Sequence, residues 1–564
     1  MWLRSWLLLV SKLRRSLMVG AVVIGSCLTQ QMSRADEPLS MAEPIIEFAM
    51  SSILPTGSPS AAKRVYRLRF SPDHTKLAIR DGDNNIWQYD LSTREATLFE
   101  RPAQDSRRIQ DVAYSSEGQY LYAIADRGAP SWYCWTTNDL KLVASSQTVE
   151  GRVVERTVNG ELMVNGRDVL SLSQPHAEPR VRKRSGLLRS SEGAVTLLVY
   201  NLSAMAGESG LEWRERIDDD AAVRQTPLLN EHWQGVLQQQ VSRAVGRQTS
   251  VGGSLLLSPC GNRVVMLDRR GLLVWDAASK EQWQALSEDR PEPDRLPVNT
   301  DILTAKFSPN GQWLAIGTVG KNSPEPISGE IHLIDMVAGR WLGRVATTTQ
   351  SVSAIDFSDD QNWLAIGSTS LVDDLVRVYD LNAWTLANPE PNQLDAASAT
   401  IEDLKAMEPR VANWIATTLL RNANDVQQEL TAALTFDGLR AKQLMGQVIE
   451  RMDSPTFEIR RLAEQEMQRL ATQFPSVIRE LQDDDTLSSE SQYRIRRTVA
   501  SMTGIPRLSE DQWRILCRSL HLLEQIPQPW AEQLLADSTK HPIRFVARQA
   551  RLSHQVWLSR NSRR

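Results

Sequence analysis

Hydrophobic and polar positions follow two different periods along this chain, and the change falls near residue 391. Before it, short apolar runs alternate with polar residues and are joined by tight turns. The clearest unit is Phe307-Ser308-Pro309-Asn310-Gly311, followed by Gln312 and the apolar run at 313–316. Pro presets φ at the second turn position, Asn tolerates the left-handed region and Gly enters it without strain, so the phrase predicts a hairpin. It recurs with its first serine at Ser71, Ser115, Ser190, Ser258, Ser308 and Ser358. A second strand is predicted after most turns, at 76–79, 120–124, 263–267, 313–316 and 363–366. A third ends beside an aspartate, at Asp90, Asp276, Asp335 and Asp380. Between Ser115 and Ser190, residues 152–164 read as a further hairpin around Asn159-Gly160, with a second turn signal at Asn165-Gly166. Between Ser190 and Ser258 one repeat carries an insertion, 231–245, read as a short helix or a loop.

Beyond 391 the spacing of apolar residues becomes three to four, which predicts helices at 401–421 (bent at Pro409), 437–451, 489–502, 509–525, 528–537 and 542–559. A further helix opens in the stretch from Asp453. There Ser454 suits the N-cap, Pro455 the first helical position and Glu458 the positive end of the dipole. On it Ile459, Ala463, Met467 and Leu470 share a face, and Arg460 and Glu464 are placed to pair. Repeats of 40–50 residues with several short strands predict an all-β propeller of seven blades, six being the alternative, and the helices predict an all-α helical-repeat, HEAT-like domain after it. The division is a signal peptide at 1–35, a linker at 36–62 with one strand around 45–48, the propeller at 63–390, a linker at 391–400 and the helical domain at 401–564.

Composition changes this picture at the N-terminus. The first 35 residues hold five basic residues and no acidic one, and removing them from a net charge of −4 leaves −9, a body that does not suit nucleic acid. Lys12, Arg14 and Arg15 precede a short apolar run at 17–24, and Ser33-Arg34-Ala35 offers a cleavage site before Asp36, the pattern of an export signal. Two alternatives stay open: Ile24-Gly25-Ser26-Cys27 resembles a bacterial lipobox with Cys27 as a lipidated terminus, and the run at 6–10 lengthens the segment into an uncleaved anchor. The remaining cysteines, Cys134, Cys260 and Cys517, are widely spaced and read as buried thiols.

Candidate chemistry is sparse. No Gly-x-Ser-x-Gly elbow is present, and Gly320-Lys321-Asn322 falls in a predicted blade loop rather than between strand and helix, where a phosphate cradle would form. The seven histidines (His74, His176, His232, His332, His521, His541 and His554) are scattered and contain no His-x-x-x-His pair. Asp218–Asp220 and Asp483–Asp485 lack the spacing of a calcium loop and read as solvated turns. Two basic clusters, Arg180 to Arg189 and Arg544-Arg548-Arg551 with Arg560, Arg563 and Arg564, read as solvated faces, with an anionic lipid or protein surface as the functional alternative. No catalytic, cofactor-binding or metal residue is assigned, and no cofactor is expected.

Over residues 65–390 the chain resembles the WD40 family: Trp275-Asp276 is a literal Trp-Asp, and Tyr89-Asp90, Ile334-Asp335 and Tyr379-Asp380 stand in the matching place, although the Gly-His pair that opens standard repeats is absent. Periplasmic translocation and prolyl-peptidase propellers carry similar phrases. The tail resembles a module found after propellers in exported bacterial proteins, through Asp453, Ser454, Phe457 and Arg460 and the Arg-rich stretch at 494–497. The tail's resemblance carries architecture only. A rigid ring with variable loops and an extended helical array suit a non-catalytic scaffold for protein–protein interaction. The N-terminal segment predicts its export to the periplasm or cell envelope, and the basic last helix or Cys27 offers a peripheral membrane contact. A propeller enzyme with a small-molecule or metal site in its central channel is the alternative.

Overall fold

The serine that opens each phrase makes the phrase fold the same way in five blades. Its Oγ accepts the N–H of the residue five positions on: Lys76 to Ser71 at 2.9 Å, Tyr120 to Ser115 at 3.1 Å, Arg263 to Ser258 at 2.9 Å, Trp313 to Ser308 at 3.0 Å and Trp363 to Ser358 at 2.9 Å. The fourth residue of each turn returns its own N–H to the serine carbonyl and sits at positive φ: His74 at 55°, Gly118 at 69°, Gly261 at 74°, Gly311 at 73° and Gln361 at 60°. The left-handed position thus belongs to the residue after Asn310, not to Asn310 itself. Two blades place a side chain, His74 or Gln361, where glycine would be free of strain, at a cost of about 1 kcal/mol; both side chains prove to be in use.

The computed structural model describes residues 42–561, leaving out stretches between elements, the longest being 235–254, 286–299 and 383–398. Twenty-eight strands form seven antiparallel four-stranded sheets. Blades 1 to 6 are continuous, at residues 65–98, 109–146, 154–182, 188–225, 255–285 and 300–348. Blade 7 is not: Val352–Phe357, Trp363–Ser368 and Leu375–Asp380 take their outer strand from Pro44–Ala49, near the other end of the chain. The segment expected as a linker with one strand therefore closes the ring by supplying the outer strand of the last blade. The hairpin predicted at 152–164 is present as Val154–Arg156 paired with Leu162–Val164, so the count is seven, not six.

The core of the ring is a series of seams between neighbouring blades. One seam joins Phe48, Val65, Leu68, Ile79, Ala365 and Val376 of blades 7 and 1. Small residues on the second strands make this approach close: a Cβ on Gly367 would lie 2.5 Å from Val65, and one on Gly317 2.8 Å from Val352. Inner strands bulge at a shared position, with register shifts at 65/67, 109/111, 302/304 and 352/354.

The tail holds α1 (Pro409–Arg421), α2 (Ala423–Leu434), α3 (Gly438–Met452), α4 (Phe457–Gln473), α5 (Pro475–Gln482), α6 (Ser489–Ser501), α7 (Glu510–Leu523), α8 (Pro529–Ser538) and α9 (Arg544–Asn561). Three expectations change. The bent helix at 401–421 is two pieces, a 3-10 turn at Ile401–Lys405 capped by Thr400 and Asp403, then α1 with Pro409 at its first position. Helix α4 begins at Phe457, because Ser454 Oγ is spent on the Thr456 N–H at 3.2 Å and Thr456 offers the first helical carbonyl. Along α4, Ala463, Met467 and Leu470 are buried but Ile459 is 42% exposed, while Arg460 bonds the Ser454 and Pro455 carbonyls and Glu464 pairs with Arg494 at 2.7 Å. The pattern did not predict α2 or α5.

These helices bury two separate cores. Residues of α1, α2 and α7–α9 pack into one cluster with Leu255, Val264, Met266, Leu273 and Trp275 of blade 5. Helices α3–α6 form the other from their own side chains alone, around Met445, Met452, Met467 and Ile478.

Candidate interaction surfaces

The hairpin turns of blades 5 to 7 carry the polar residues that hold the helical cap. In blade 6, Asn310 donates to Glu524 just beyond α7, at 3.0 and 3.1 Å, and its carbonyl accepts from Gln549 of α9 at 2.8 Å. Gln361, at the strained position of blade 7, reaches the same carboxyl at 3.4 Å, and the neighbouring Asp360 carbonyl accepts from Arg560 at 2.7 Å. In blade 5, Asn262 accepts from Arg548 Nε at 3.2 Å. Arg518 of α7 donates to Asp335 of blade 6 at 3.1 Å and to the Leu404 carbonyl at 2.7 Å. A guanidinium suits this place because its fixed fork serves several acceptors at once.

Burial sets the charges in this interface. It raises the Glu524 carboxyl to about 7, against the opposing pull of Arg560, Ser553, Asn310 and Gln361. Burial, with the Arg518, Arg263 and Arg560 charges behind it, lowers His521 to about 3, so its imidazole is neutral beside Gln549. His74, at the other strained position, lies 3.1 Å from Asp360 and joins blade 1 to blade 7. Burial acts to raise the Asp360 carboxyl, but His74, Ser358 and the Asn362 N–H together bring it down to about 2.

The inner strands carry a second set of charges. Asp111 of blade 2 meets Arg67 at 3.3 Å and Arg69 at 3.0 Å, both of blade 1, and accepts the Val154 N–H of blade 3 at 3.2 Å. Asp356 of blade 7 pairs with Lys306 of blade 6 and accepts the Phe70 N–H of blade 1 at 2.8 Å. Each aspartate thus stitches neighbouring blades through a cation and a backbone N–H. Among the described residues no group of three or more His, Cys, Asp or Glu side chains is arranged to hold a metal.

The motifs singled out in the sequence fall apart in space. His332 pairs with Glu330 at 3.0 Å inside blade 6, His541 accepts the Ile543 N–H, and His554 lies 3.9 Å from Glu532; His176 and His232 are outside the described residues. Cys134, Cys260 and Cys517 are buried thiols outside any disulfide among the described residues. The basic stripe on α9 does not form: Arg548 is 1% exposed and turned onto blade 5, Arg560 is turned onto blade 7, and Arg563 and Arg564 are outside the described residues. One face of the helix is therefore a tie to the ring, while Arg551 of the same stripe stays exposed. The segment 1–35 with Cys27, the run 183–187, Asp218–Asp220, Lys321 and Asn322 also lie outside the described residues, and no described helix is long and apolar enough to cross a membrane.

The lobe of α3–α6 differs in kind. Five of the nine exposed large apolar side chains described are here, Leu444, Phe457, Ile459, Leu462 and Tyr493, with Phe457 66% and Tyr493 63% exposed. The residues that resemble the exported module mostly hold the lobe together: Asp453 accepts from Ser488 at 2.6 Å and Ser491 at 2.9 Å, fixing the start of α4 against α6.

The WD40 family model, described as WD domain, G-beta repeat, matches residues 342–380. That span begins in the outer strand of blade 6 and ends with the third strand of blade 7, so the repeat in the sequence straddles two sheets. The seven sheets make the architecture a WD40-like β-propeller followed by a helical domain. Repeats of this kind generally mediate protein–protein interaction. No curated protein matches the chain.

Proposed function

We propose that this protein is a non-catalytic scaffold, exported to the cell envelope, that holds protein partners between a rigid ring and a helical lobe. The observation that carries the reading is the division of the tail. Five helices are consumed in bracing the ring, while α3–α6, the HEAT-like part, keep a closed core of their own and expose Phe457, Leu462 and Tyr493. Exposed apolar side chains gathered on a small unit suit recognition more than stability. Export rests on the basic and apolar N-terminal segment of the sequence.

Affinity capture from an envelope fraction tests the reading, with full-length chain and a Phe457→Ser/Tyr493→Ser variant in parallel. A stoichiometric protein partner retained by the first and depleted from the second is expected. Retention of no protein, together with a metal or small molecule that raises the melting temperature, would favour the channel enzyme instead. Mass spectrometry of the mature N-terminus checks export: it starts at Asp36 or carries lipid at Cys27, and an intact Met1 argues for an anchor or no export.

A further inference from the structure

The end of the ring opposite the hairpin turns holds Arg80 and Arg108, for which the described residues provide no carboxylate partner. Tyr66 occupies the bulge of the inner strand of blade 1, where blades 2, 6 and 7 carry Gln110, Leu303 and Ser353. Two guanidiniums lie over its ring, Arg80 at 4.8 Å and Arg108 at 5.5 Å from the centroid. Arg80 is 3% exposed; it donates to Asn84 at 2.8 Å, and its buried Nε has no partner among the described residues.

The nearby carboxylates are already engaged. Asp81 accepts from the Asp83 and Asn85 N–H groups at 2.8 Å and from Asn85 Nδ2 and Trp87 Nε1 at 2.9 Å, all within the same blade. Asp111 serves Arg67 and Arg69. Arg80 and Arg108 therefore have no carboxylate partner among the described residues. Burial first, then the neighbouring Arg108 and Arg67 charges, hold the Arg80 guanidinium down to about 10 against the smaller opposing pull of Tyr66 and Asp81. A buried guanidinium without an anion is costly to maintain.

We infer that Tyr66, Arg67, Arg80 and Arg108 form a binding site for a carboxylate side chain of an acidic peptide segment carried by a protein partner. A guanidinium fork donates two parallel hydrogen bonds to a carboxylate, and the aromatic ring holds both forks in place. Arg108 is exposed and Arg67 is 32% exposed, so the site encloses its ligand on one side only, which suits a group presented on a chain. The bonds between helices and blades described above lie at the opposite end of the ring and leave this one uninvolved. The inference rests on the scaffold reading and assigns it one contact.

The test is fluorescence anisotropy of a labelled oligoglutamate peptide with the full chain, and of its oligoglutamine counterpart. Saturable binding of oligoglutamate alone is expected, weakened at least tenfold in Arg108→Ala and unchanged in Arg551→Ala, which removes an equal charge from the exposed face of α9. Arg80→Gln abolishes binding; its melting temperature is read alongside, because the change also gives up the contact with the Tyr66 ring and strains the Asn84 bond, and retained binding in the folded variant overturns the site. Equal binding of the two peptides, or equal losses in the Arg108 and Arg551 variants, overturns the site. Inorganic phosphate that binds as tightly as the peptide and displaces it makes this a small-anion site and overturns the peptide assignment. If the site fails in these ways while full-length chain still captures a protein partner, the scaffold reading stands without it.

Discussion

Two halves of the same helical tail have opposite relations to the ring. Helices α1, α2 and α7–α9 share a core with blade 5 and bury Arg518, Arg548 and Gln549 against blade turns. Helices α3–α6, inserted between α2 and α7, bury only one another and keep their ion pairs local, as in Arg451 with Glu466 at 2.6 Å and Arg494 with Glu490 at 2.6 Å. The first half is part of the propeller's own stability; the second is a separate module held by it. A turn that looks like a simple reversal of the chain is, in three blades, the footing of that cap.

The largest way to break the comparison is to end the chain at residue 400. This uncovers Leu255, Leu273 and Trp275 and leaves Asn262, Asn310 and Gln361 without their partners, so the melting temperature is expected to fall by about 10 °C or the ring to aggregate. Next is Arg518→Ala, which strands Asp335 in the interface; chemical denaturation should show a loss of about 3 kcal/mol. Glu524 comes third. Its folded-state value of about 7 lies above the ordinary 4.5, so its contribution to stability is complete below pH 4.5 and is lost as pH rises through 7. The loss is about 3 kcal/mol between pH 4 and pH 8, and Glu524→Gln should flatten that slope. Ser308→Ala then removes the acceptor for the Trp313 N–H and costs about 1–2 kcal/mol. Smallest is Phe457→Ser in the lobe, expected to move stability by less than about 0.5 kcal/mol while it reduces partner capture.

The ring was legible because its turns are local: Ser308 and Trp313 are five residues apart, and the bond between them needs nothing from elsewhere in the chain. The closing strand was half legible, since Pro44–Ala49 reads as a strand but its partner Leu375–Asp380 lies more than three hundred residues away. The cap's footing was not legible at all. Asn310 is as good a turn former as any other asparagine, and its bond to Glu524 spans 214 residues. The inward turn of Arg548 and Arg560 is equally hidden, because an i, i+4 stripe of arginines looks the same whether water or a blade covers it. One signal was available: His74 and Gln361 stand where their sister turns have glycine, and each strained position marks a contact with another part of the fold.

Native-state hydrogen exchange tests the central claim, that the cap and the ring are one unit and the lobe another. The Trp313 amide and the amides of α7 should exchange with the same opening free energy and the same denaturant dependence, while those of α4 and α6 open at lower free energy as a unit of their own. Exchange of α7 together with α4 and α6, ahead of the Trp313 turn, would contradict it.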